Sequence, residues 1–320
     1  MDPSATPATL TLVESRCALC GSDDAETVAR GHDYEYATAA NEFSFVRCRE
    51  CAHLYLNPRP SADDLGTIYP PHYYAFGNEG TGVVARARRT WEGGKVRLYR
   101  ECVGTGTKRI LDVGCGSGRF LGLLRDFGDP AWELEGLDID AEAAADCQAA
   151  GFEANVGRIE SFESERRYDG ILMLQLIEHV EDPAAVARQV FRLLAPGGVF
   201  VVETPNPAGL DHRLFQGQTW GHYHFPRHWH LFTDASLRGM LEGEGFEIER
   251  HESLISPASW IISMHNGVVA RGGPDWLVRL LDFRNPLLLS VFVLADWLRA
   301  KTGGATSNQR VIARKPAAAG

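Results

Sequence analysis

The pattern of apolar and polar positions changes near Lys108. Before it, apolar periodicity is weak, and four cysteines, several aromatic residues and two proline-rich patches stand close together. After it, short apolar runs alternate with amphipathic stretches, which predicts strands alternating with helices. The predicted strands are Arg109–Val113, Trp132–Leu137, Phe152–Val156, Tyr168–Leu174, Val199–Thr204, Phe246–Arg250 and Arg310–Arg314. The predicted helices are Arg119–Phe127, Ala141–Ala150, Pro183–Leu194 and one near Asp234–Glu244.

This alternation predicts an α/β fold with a doubly wound, mostly parallel, seven-stranded Rossmann-like sheet, because crossovers of this length join parallel strands. Three segments are predicted: a small head over residues 1–75, a helical linker over 76–107 and the α/β domain over 108–320. A helical insertion, about 254–306, precedes the last strand. Its apolar runs indicate core or a dimer surface rather than membrane contact, and the basic residues of the linker are interpreted as the solvated face of a helix.

Composition restricts the class of protein. The formal net charge of −10 argues against non-specific binding to nucleic acid or to an anionic membrane. The N-terminal residues lack the pattern of a secretory leader, and the longest apolar run, Leu287–Ala295, is too short to span a bilayer. Seven cysteines, an odd number, fit a reducing compartment better than a disulfide framework. We therefore expect a cytoplasmic protein without a transmembrane segment.

A glycine-rich loop follows the first predicted strand of the α/β domain. Gly114, Gly116 and Gly118 allow a tight turn and a close approach of backbone to ligand, at a spacing that differs from the dinucleotide fingerprint. Asp112 ends the first strand, and Asp138 ends the second, where a carboxylate can accept hydrogen bonds from ribose hydroxyls. Two carboxylates would repel a pyrophosphate but suit a sulfonium and an ammonium group. The loop therefore favours S-adenosylmethionine over NAD; the alternative is a glycine-rich turn between two surface acids.

Five segments in this order resemble the successive motifs of class I methyltransferases. They are Leu111–Phe120, Gly136–Asp140, Tyr168–Leu174, Ile177–Val180 and Ala195–Gly198, and the resemblance covers about residues 105–250. It implies that the loop holds the methionine part of S-adenosylmethionine and that Glu160 or Ser161 lies near the adenine. The cofactor-binding residues implied in this way are Asp112, Gly114, Cys115, Gly116, Gly118, Asp138, Ile139, Glu160, Ser161, Leu174 and Gln175.

Two Cys-x-x-Cys pairs lie in the head. Cys17 and Cys20 form one pair, and Cys48 and Cys51 form the other. Four thiolates suit tetrahedral Zn²⁺ and leave no coordination position open for chemistry, so a structural zinc site is predicted. The alternative is four free thiols, and the three remaining cysteines are not expected to bind metal.

The head also resembles the zinc-binding head of many bacterial methyltransferases, on Cys17–Cys20, Arg47–Cys51, Leu56–Pro60 and Tyr69–Tyr74. Relatives of this kind include sugar C-methyltransferases and proteins of polysaccharide or natural-product pathways. The resemblance implies that Tyr73 and Tyr74 reach the cofactor pocket, and Tyr74 is the predicted contact. Both tyrosines could equally pack the head onto the core.

Histidines indicate where the methyl acceptor binds. His179 follows the fourth strand in a Glu-His-Val sequence similar to that of quinone O-methyltransferases, but Gln175 replaces their metal-binding acid, so a catalytic Mg²⁺ is not expected. The segment Trp220–His230 follows the fifth strand, where substrates meet cofactors in such sheets. His179, His224 and His228 are the candidate catalytic bases, and Trp220, Tyr223 and Arg227 are the candidate acceptor contacts. Alternatively, these rings pack the loop against the sheet.

The sequence thus predicts methyl transfer from S-adenosylmethionine to a carbon or oxygen of a small-molecule or glycan-type acceptor. Nucleic acid is not expected as a partner, since the head lacks a Lys/Arg-rich surface, and a homodimer is left open. Two other readings remain: an RNA methyltransferase with a zinc head, and a zinc-headed binding protein that has lost catalysis.

Overall fold

The computed structural model describes residues 7–69 and 83–317, without the side chains of 83–88 and 91. Short strands β1–β5 lie in the head, at Leu12–Val13, Ala25–Gly31, Phe43–Cys48, Leu54–Leu56 and Arg59–Pro60. Strands β6–β13 follow at Arg109–Val113, Glu133–Asp138, Glu153–Val156, Tyr168–Leu174, Leu194–Pro205, His230–Leu231, Glu247–Leu254 and Asn308–Arg314. Helices α1–α10 are Leu65–Ile68, Val83–Val103, Arg119–Phe127, Ala141–Ala149, Pro183–Leu193, Leu210–Phe215, Asp234–Gly243, Pro257–Val269, Asp275–Leu280 and Pro286–Lys301.

Seven strands form the central sheet, in the order β12-β13-β10-β9-β6-β7-β8. The five strands from β10 to β8 pair in parallel, whereas β13 is antiparallel to both of its neighbours. The prediction of a seven-stranded Rossmann-like sheet is confirmed, but the sheet is mixed. Strand β13 reverses direction because α8, α9 and α10, which lie between β12 and β13, bring the chain back to the end of the sheet at which β12 stops.

The burial of a strand determines how well the sequence predicts it. Val199–Val202 in β10 are all fully buried because helices cover both faces of a central parallel strand. The edge strand β12 instead carries Glu247, Glu249, Arg250 and Glu252, and it extends beyond the predicted end at Arg250 to Leu254. An apolar run therefore predicts the inner strands better than the edge strand.

A second sheet joins the head to the rest of the molecule. Its order is β11-β4-β3-β2, so strand β11, which follows the candidate acceptor loop, adds to three strands of the head. Phe43 and Phe45 of the head pack in one cluster with Trp220, Tyr223 and Phe225. The head and the loop Trp220–His230 therefore share one hydrophobic core, although the domain boundaries predicted at 75 and 107 stay predictions.

The helices between β12 and β13 form a layer outside this core. Helix α10 packs on α8 through Phe292 and Trp260, whose stacked rings lie 5.4 Å apart. Across the described part of the chain, every helix is too short or too polar to cross a membrane.

Candidate active site

The glycine loop connects β6 to α3 at the carboxyl edge of the sheet. Gly114, Gly116 and Gly118 have φ values of +78°, +52° and +80°, a left-handed conformation that favours glycine. A Cβ atom on Gly114 would lie 2.9 Å from Cδ2 of Leu176, and one on Gly118 would lie 2.8 Å from Sγ of Cys147. A Cβ on Gly116 would meet nothing within 4 Å in the described structure. The backbone at Gly116 is thus the open part of the loop, where a ligand can approach.

Asp138 fixes this loop to the end of β7. Its Oδ2 accepts a hydrogen bond from the Gly116 N–H at 2.8 Å, and its Oδ1 accepts one from the Asp140 N–H at 2.9 Å. Each carboxylate oxygen has a second lone pair, so the same group can still accept from a ribose hydroxyl. The predicted ribose contact remains a prediction, and the structure adds a role for Asp138 in holding the loop.

Asp112 lies beneath the loop and is buried. Burial, together with the negative charge of Asp138, raises the pKa of Asp112 to about 7, and Arg119 opposes this rise. The Arg119 guanidinium is itself paired with Glu92 of α2, at 2.7 Å and 3.2 Å. The carboxyl groups of the site therefore outnumber its basic groups, and a cationic ligand would neutralise the remaining negative charge.

The other predicted cofactor residues lie along the same edge in different environments. The Cys115 thiol is buried and faces Gly136, so only the backbone of Cys115 can reach a ligand. Ile139 is 65% exposed, and Glu160 and Ser161 lie in a 3-10 turn after β8. Leu174 ends β9, and Gln175 follows it with a φ of +58°. Tyr73 and Tyr74 lie outside the described residues.

Two of the predicted histidines meet in the structure. The rings of His179 and His228 are 4.7 Å apart and nearly perpendicular. His179 Nδ1 lies 3.0 Å from the carbonyl oxygen of Arg227, and His228 Nδ1 lies 2.8 Å from that of His222. A carbonyl oxygen only accepts hydrogen bonds, so both Nδ1 atoms carry the proton and both Nε2 atoms keep a lone pair. Tyr69 of the head adds a contact to His179 Nδ1 at 3.0 Å.

Both imidazoles are neutral at physiological pH. Burial, assisted by the neighbouring His224, lowers the pKa of His179 to about 3. Burial and the surrounding histidines lower the pKa of His228 well below its usual value. Each ring therefore keeps a lone pair at Nε2 but binds a proton there less strongly than an ordinary histidine does.

Glu178 is a buried acid beside these histidines that sequence reasoning did not single out. The Thr204 hydroxyl donates to its Oε2 at 3.0 Å, whereas its Oε1 has no hydrogen-bond partner among the described residues. Burial raises the pKa of Glu178 to about 8, so the carboxyl group is mostly protonated at neutral pH. Glu178, His179 and His228 offer donor atoms within 4.8 Å of one another. The Glu-His-Val sequence was the available signal, but it was interpreted only through His179.

The remaining candidates of the acceptor loop contact the protein itself. The Arg227 guanidinium is fully buried and donates to both carboxylate oxygens of Asp33 at 2.9 Å, and its Nε donates to the Ile68 carbonyl. Trp220 Nε1 donates to Asp211 at 2.6 Å, and the Tyr223 hydroxyl accepts from the Gly217 N–H at 3.3 Å. These contacts favour the alternative that the three residues pack the loop against the protein, and their contact with the acceptor stays a prediction.

His224 also contacts the head. Its Nδ1 lies 2.9 Å from a carboxylate oxygen of Glu35, and its backbone has a φ of +39°, which is uncommon for a residue other than glycine. Glu35 and Asp33 were missed by sequence reasoning. Their signal was the cluster of charged and aromatic residues at His32–Tyr36 in an otherwise weakly patterned head.

The four predicted zinc ligands come together. Cys17 Sγ lies 3.5 Å from Cys51 Sγ, Cys20 Sγ lies 3.5 Å from Cys48 Sγ, and all four sulfurs are within 4.8 Å of one another. Tetrahedral zinc with Zn–S bonds of about 2.3 Å requires sulfur separations of about 3.8 Å. The cluster therefore matches a Cys₄ zinc site in donor type and spacing.

Comparison with known proteins identifies the family. Residues 86–251 match the family model described as a methyltransferase domain. The chain belongs to this methyltransferase-domain family. Over 160 residues it is 32% identical to a protein of Mycolicibacterium smegmatis described as a probable S-adenosylmethionine-dependent methyltransferase, covering 48% of this chain and 56% of the relative. It is also 36% identical over 107 residues to a ubiquinone biosynthesis O-methyltransferase of Serratia proteamaculans, covering 31% of this chain and 43% of the relative.

The chain thus spans about half the length of the curated relatives that it matches. Among solved structures, an S-adenosylmethionine-dependent methyltransferase of Archaeoglobus fulgidus aligns at 19% identity with a TM-score of 0.46, covering 71% of this chain and 94% of that one. The [4+2]-cyclase SpnF aligns at 20% identity with a TM-score of 0.48, covering 76% and 86%.

Proposed function

We propose that the protein transfers a methyl group from S-adenosylmethionine to a carbon or oxygen of a small-molecule or glycan-type acceptor. The observation that carries the proposal is the pair of carboxylates, Asp112 and Asp138, at a glycine loop in left-handed conformation. A pyrophosphate would be repelled there, whereas a sulfonium and an ammonium group would lower the electrostatic energy of the site. Family membership supports the same cofactor.

Bound S-adenosylmethionine would supply an electrophilic methyl group. The chain's own contribution is to hold the cofactor on the backbone of the loop and to orient the ribose through Asp138. Methyl transfer is an in-line displacement, so the acceptor atom must be held close to the methyl group and often must lose a proton. The lone pairs on Nε2 of His179 and His228 suit that task.

His228 is the preferred base because His179 is also tied to Tyr69 of the head. A base with a lowered pKa removes a proton only in a geometry that stabilises the imidazolium as it forms. Glu178 can provide this stabilisation in its ionised form, whose carboxylate is then a counter-ion to the imidazolium; with a pKa of about 8 this form becomes the major one only in mildly alkaline solution. His224 is retained as a second candidate that acts from the Glu35 side.

We further propose that the Cys₄ cluster binds structural Zn²⁺. The head that carries this cluster also supplies Asp33, Glu35 and Tyr69 to the histidine loop. Zinc would therefore hold the acceptor side of the site indirectly, whereas the glycine loop lies on the other sheet. The expected absence of nucleic-acid partners, the cytoplasmic location and a possible homodimer remain predictions.

The test is transfer of labelled methyl from S-adenosylmethionine into a fractionated cell extract, separated into nucleotide-sugar, other small-molecule, lipid and RNA pools. Label in a small-molecule or glycan pool, absent with an Asp112→Asn control, is the expected result. Label in RNA would favour the RNA methyltransferase reading and contradict the proposed acceptor class. Cofactor binding measured by calorimetry without label in any pool would instead favour a binding protein that has lost catalysis.

A further inference from the structure

An apolar surface lies on the helices that follow β12. Thirteen large hydrophobic residues are exposed in the described part of the chain, and nine of them lie between Trp276 and Leu298, on or beside α9 and α10. Isolated exposed apolar residues are common, but a contiguous group of this size marks a surface that binds something. We call this group the α9–α10 surface.

Four residues of this group lie on the outer face of α10. Leu287, Val291, Leu294 and Leu298 are spaced by four, three and four residues, which places them in one stripe along the helix. Their exposed fractions are 77%, 59%, 56% and 51%. Helix α10 has 16 residues and is therefore about 24 Å long. The stripe extends from Leu287 to Leu298 without a charged residue, and Lys301 follows it in the last turn of the helix.

The opposite face of α10 is already packed. Phe292 stacks on Trp260 of α8, and the buried carboxylate of Asp296 accepts hydrogen bonds from Trp260 Nε1 at 2.9 Å and the Ser256 N–H at 2.8 Å. These contacts fix the rotation of the helix about its axis. The outward position of the apolar stripe is thus a property of the fold.

Charges at the edges of this surface are mainly basic. The segment from Arg271 to Lys301 has five basic and three acidic residues, a net charge of +2, in a chain whose net charge is −10. One of the acids, Asp296, is buried, and another, Asp282, is paired with Arg284 at 2.6 Å. Arg279 and Lys301 are exposed. The segment is therefore positive where the rest of the chain is strongly negative.

We propose that the α9–α10 surface docks onto an anionic lipid bilayer, with α10 lying parallel to the membrane in the interface. An apolar helical stripe bordered by basic residues is the arrangement that binds such a surface. Trp276 and Trp297, which are 66% and 46% exposed, are of the type that concentrates at the boundary between headgroups and hydrocarbon. This proposal departs from two sequence-based expectations, that these apolar runs form core or a dimer surface and that the net charge of −10 disfavours an anionic membrane, because this segment itself is positively charged.

The basic residues at the edge of the α9–α10 surface favour an anionic lipid layer over a second copy of the chain as the binding partner. A two-fold pairing of α10 helices would bring the basic edge of one copy against the basic edge of the other, which opposes association. An anionic headgroup layer would neutralise both edges. Docking does not depend on the proposed reaction, so it can be tested on the full chain without cofactor or acceptor.

The experiment is sedimentation of the full chain with phosphatidylcholine vesicles, with and without phosphatidylglycerol. The wild-type protein should sediment with the anionic vesicles, and binding should decrease as salt is raised. The double variant Leu287→Glu/Leu294→Glu should bind at least tenfold more weakly. The matched control is Leu214→Glu on α6, a residue that is 65% exposed but far from the stripe in sequence, and it should bind as the wild type does.

Circular dichroism should show that the double variant folds normally, because the substituted side chains contact solvent in the native protein. Failure of the wild-type protein to bind anionic vesicles would overturn the proposal, as would an equal loss in Leu214→Glu. A molecular mass that doubles in solution, falls to that of one chain in the double variant and is not accompanied by vesicle binding would assign the surface to a second copy instead.

Discussion

Arg227 and Asp33 form a fully buried, bidentate ion pair although they lie 194 positions apart in the sequence. Both hydrogen bonds measure 2.9 Å, and the guanidinium also lies 4.4 Å from the centre of the Tyr36 ring. Arg227 stands next to His228, so this pair sets the position of the histidine loop against the head. A change in the head at Asp33 is therefore expected to move the histidines at the carboxyl edge of the central sheet.

Asp33→Asn should destabilise the protein by about 3–5 kcal/mol, because it leaves the Arg227 charge buried without its counter-ion. Urea denaturation at pH 7.5 measures this. Arg227 lowers the pKa of Asp33 against the opposing effect of burial, so the stabilisation by this pair is present above about pH 4 and is lost as the pH falls through the lowered pKa. A loss below about 1 kcal/mol in Asp33→Asn would show that the pair does not hold the head.

Cys17→Ser should abolish zinc binding and lower the thermal stability of the head. The physical reason is that a structural zinc site contributes its binding free energy directly to folding. Zinc content by mass spectrometry and the unfolding midpoint measure the two effects. Cys102→Ser removes a thiol that lies outside the cluster and is the control, which should keep its metal. Wild-type protein that contains no zinc and is fully folded would contradict the site.

The inner strands and the glycine loop could be predicted because their determinants are local. Val199–Val202 must be apolar since both faces of β10 are covered, and Gly114, Gly116 and Gly118 adopt positive φ values that few other residues tolerate. The extent of β12 was underestimated because an edge strand tolerates charged residues along its length.

The contacts of the acceptor loop were harder to predict than the strands, because the residues that hold this loop in place are distant from it in the sequence. A sequence pattern cannot distinguish an arginine that awaits a ligand from one that is satisfied by a partner 194 residues away, and Arg227 is of the second kind. For the same reason Trp220, whose indole N–H donates to Asp211, was predicted as an acceptor contact. Glu178 was overlooked because its burial depends on the packing of β10, through Thr204.

His228→Asn should reduce methyl transfer by about 10²–10⁴-fold while leaving the affinity for S-adenosylmethionine within twofold of wild type, since general-base catalysis typically contributes this much. Asparagine preserves a donor toward the His222 carbonyl but has no basic ring nitrogen. The cofactor affinity is measured by calorimetry and the turnover with the acceptor found in the labelling experiment. His222→Asn is the comparison, because it keeps the carbonyl oxygen that accepts from His228 Nδ1 and removes only the neighbouring ring, whose centre lies 6.3 Å from that of His228. Equal losses of turnover and cofactor binding in His228→Asn would assign it to the scaffold.

Asp112→Asn should stabilise the cofactor-free protein at pH 8 and yet weaken S-adenosylmethionine binding by at least tenfold. In the folded protein the pKa of Asp112 is raised to about 7 from an ordinary value near 4. The folded state therefore binds more protons than the unfolded state between these values, and the contribution of this group to stability falls as the pH rises from about 4 to 7.

Asparagine removes that cost, which is about 4 kcal/mol at pH 8 for a rise of about three pKa units, because it carries no charge to bury. It also removes the negative charge that a cationic ligand would neutralise. Thermal unfolding at pH 5 and pH 8, together with calorimetric titration of the cofactor, measures both changes. The gain in stability should be larger at pH 8 than at pH 5. A variant that is stabilised and still binds the cofactor normally would show that Asp112 does not face the bound cation, and a variant destabilised at pH 8 would show that its carboxylate is satisfied in the native protein.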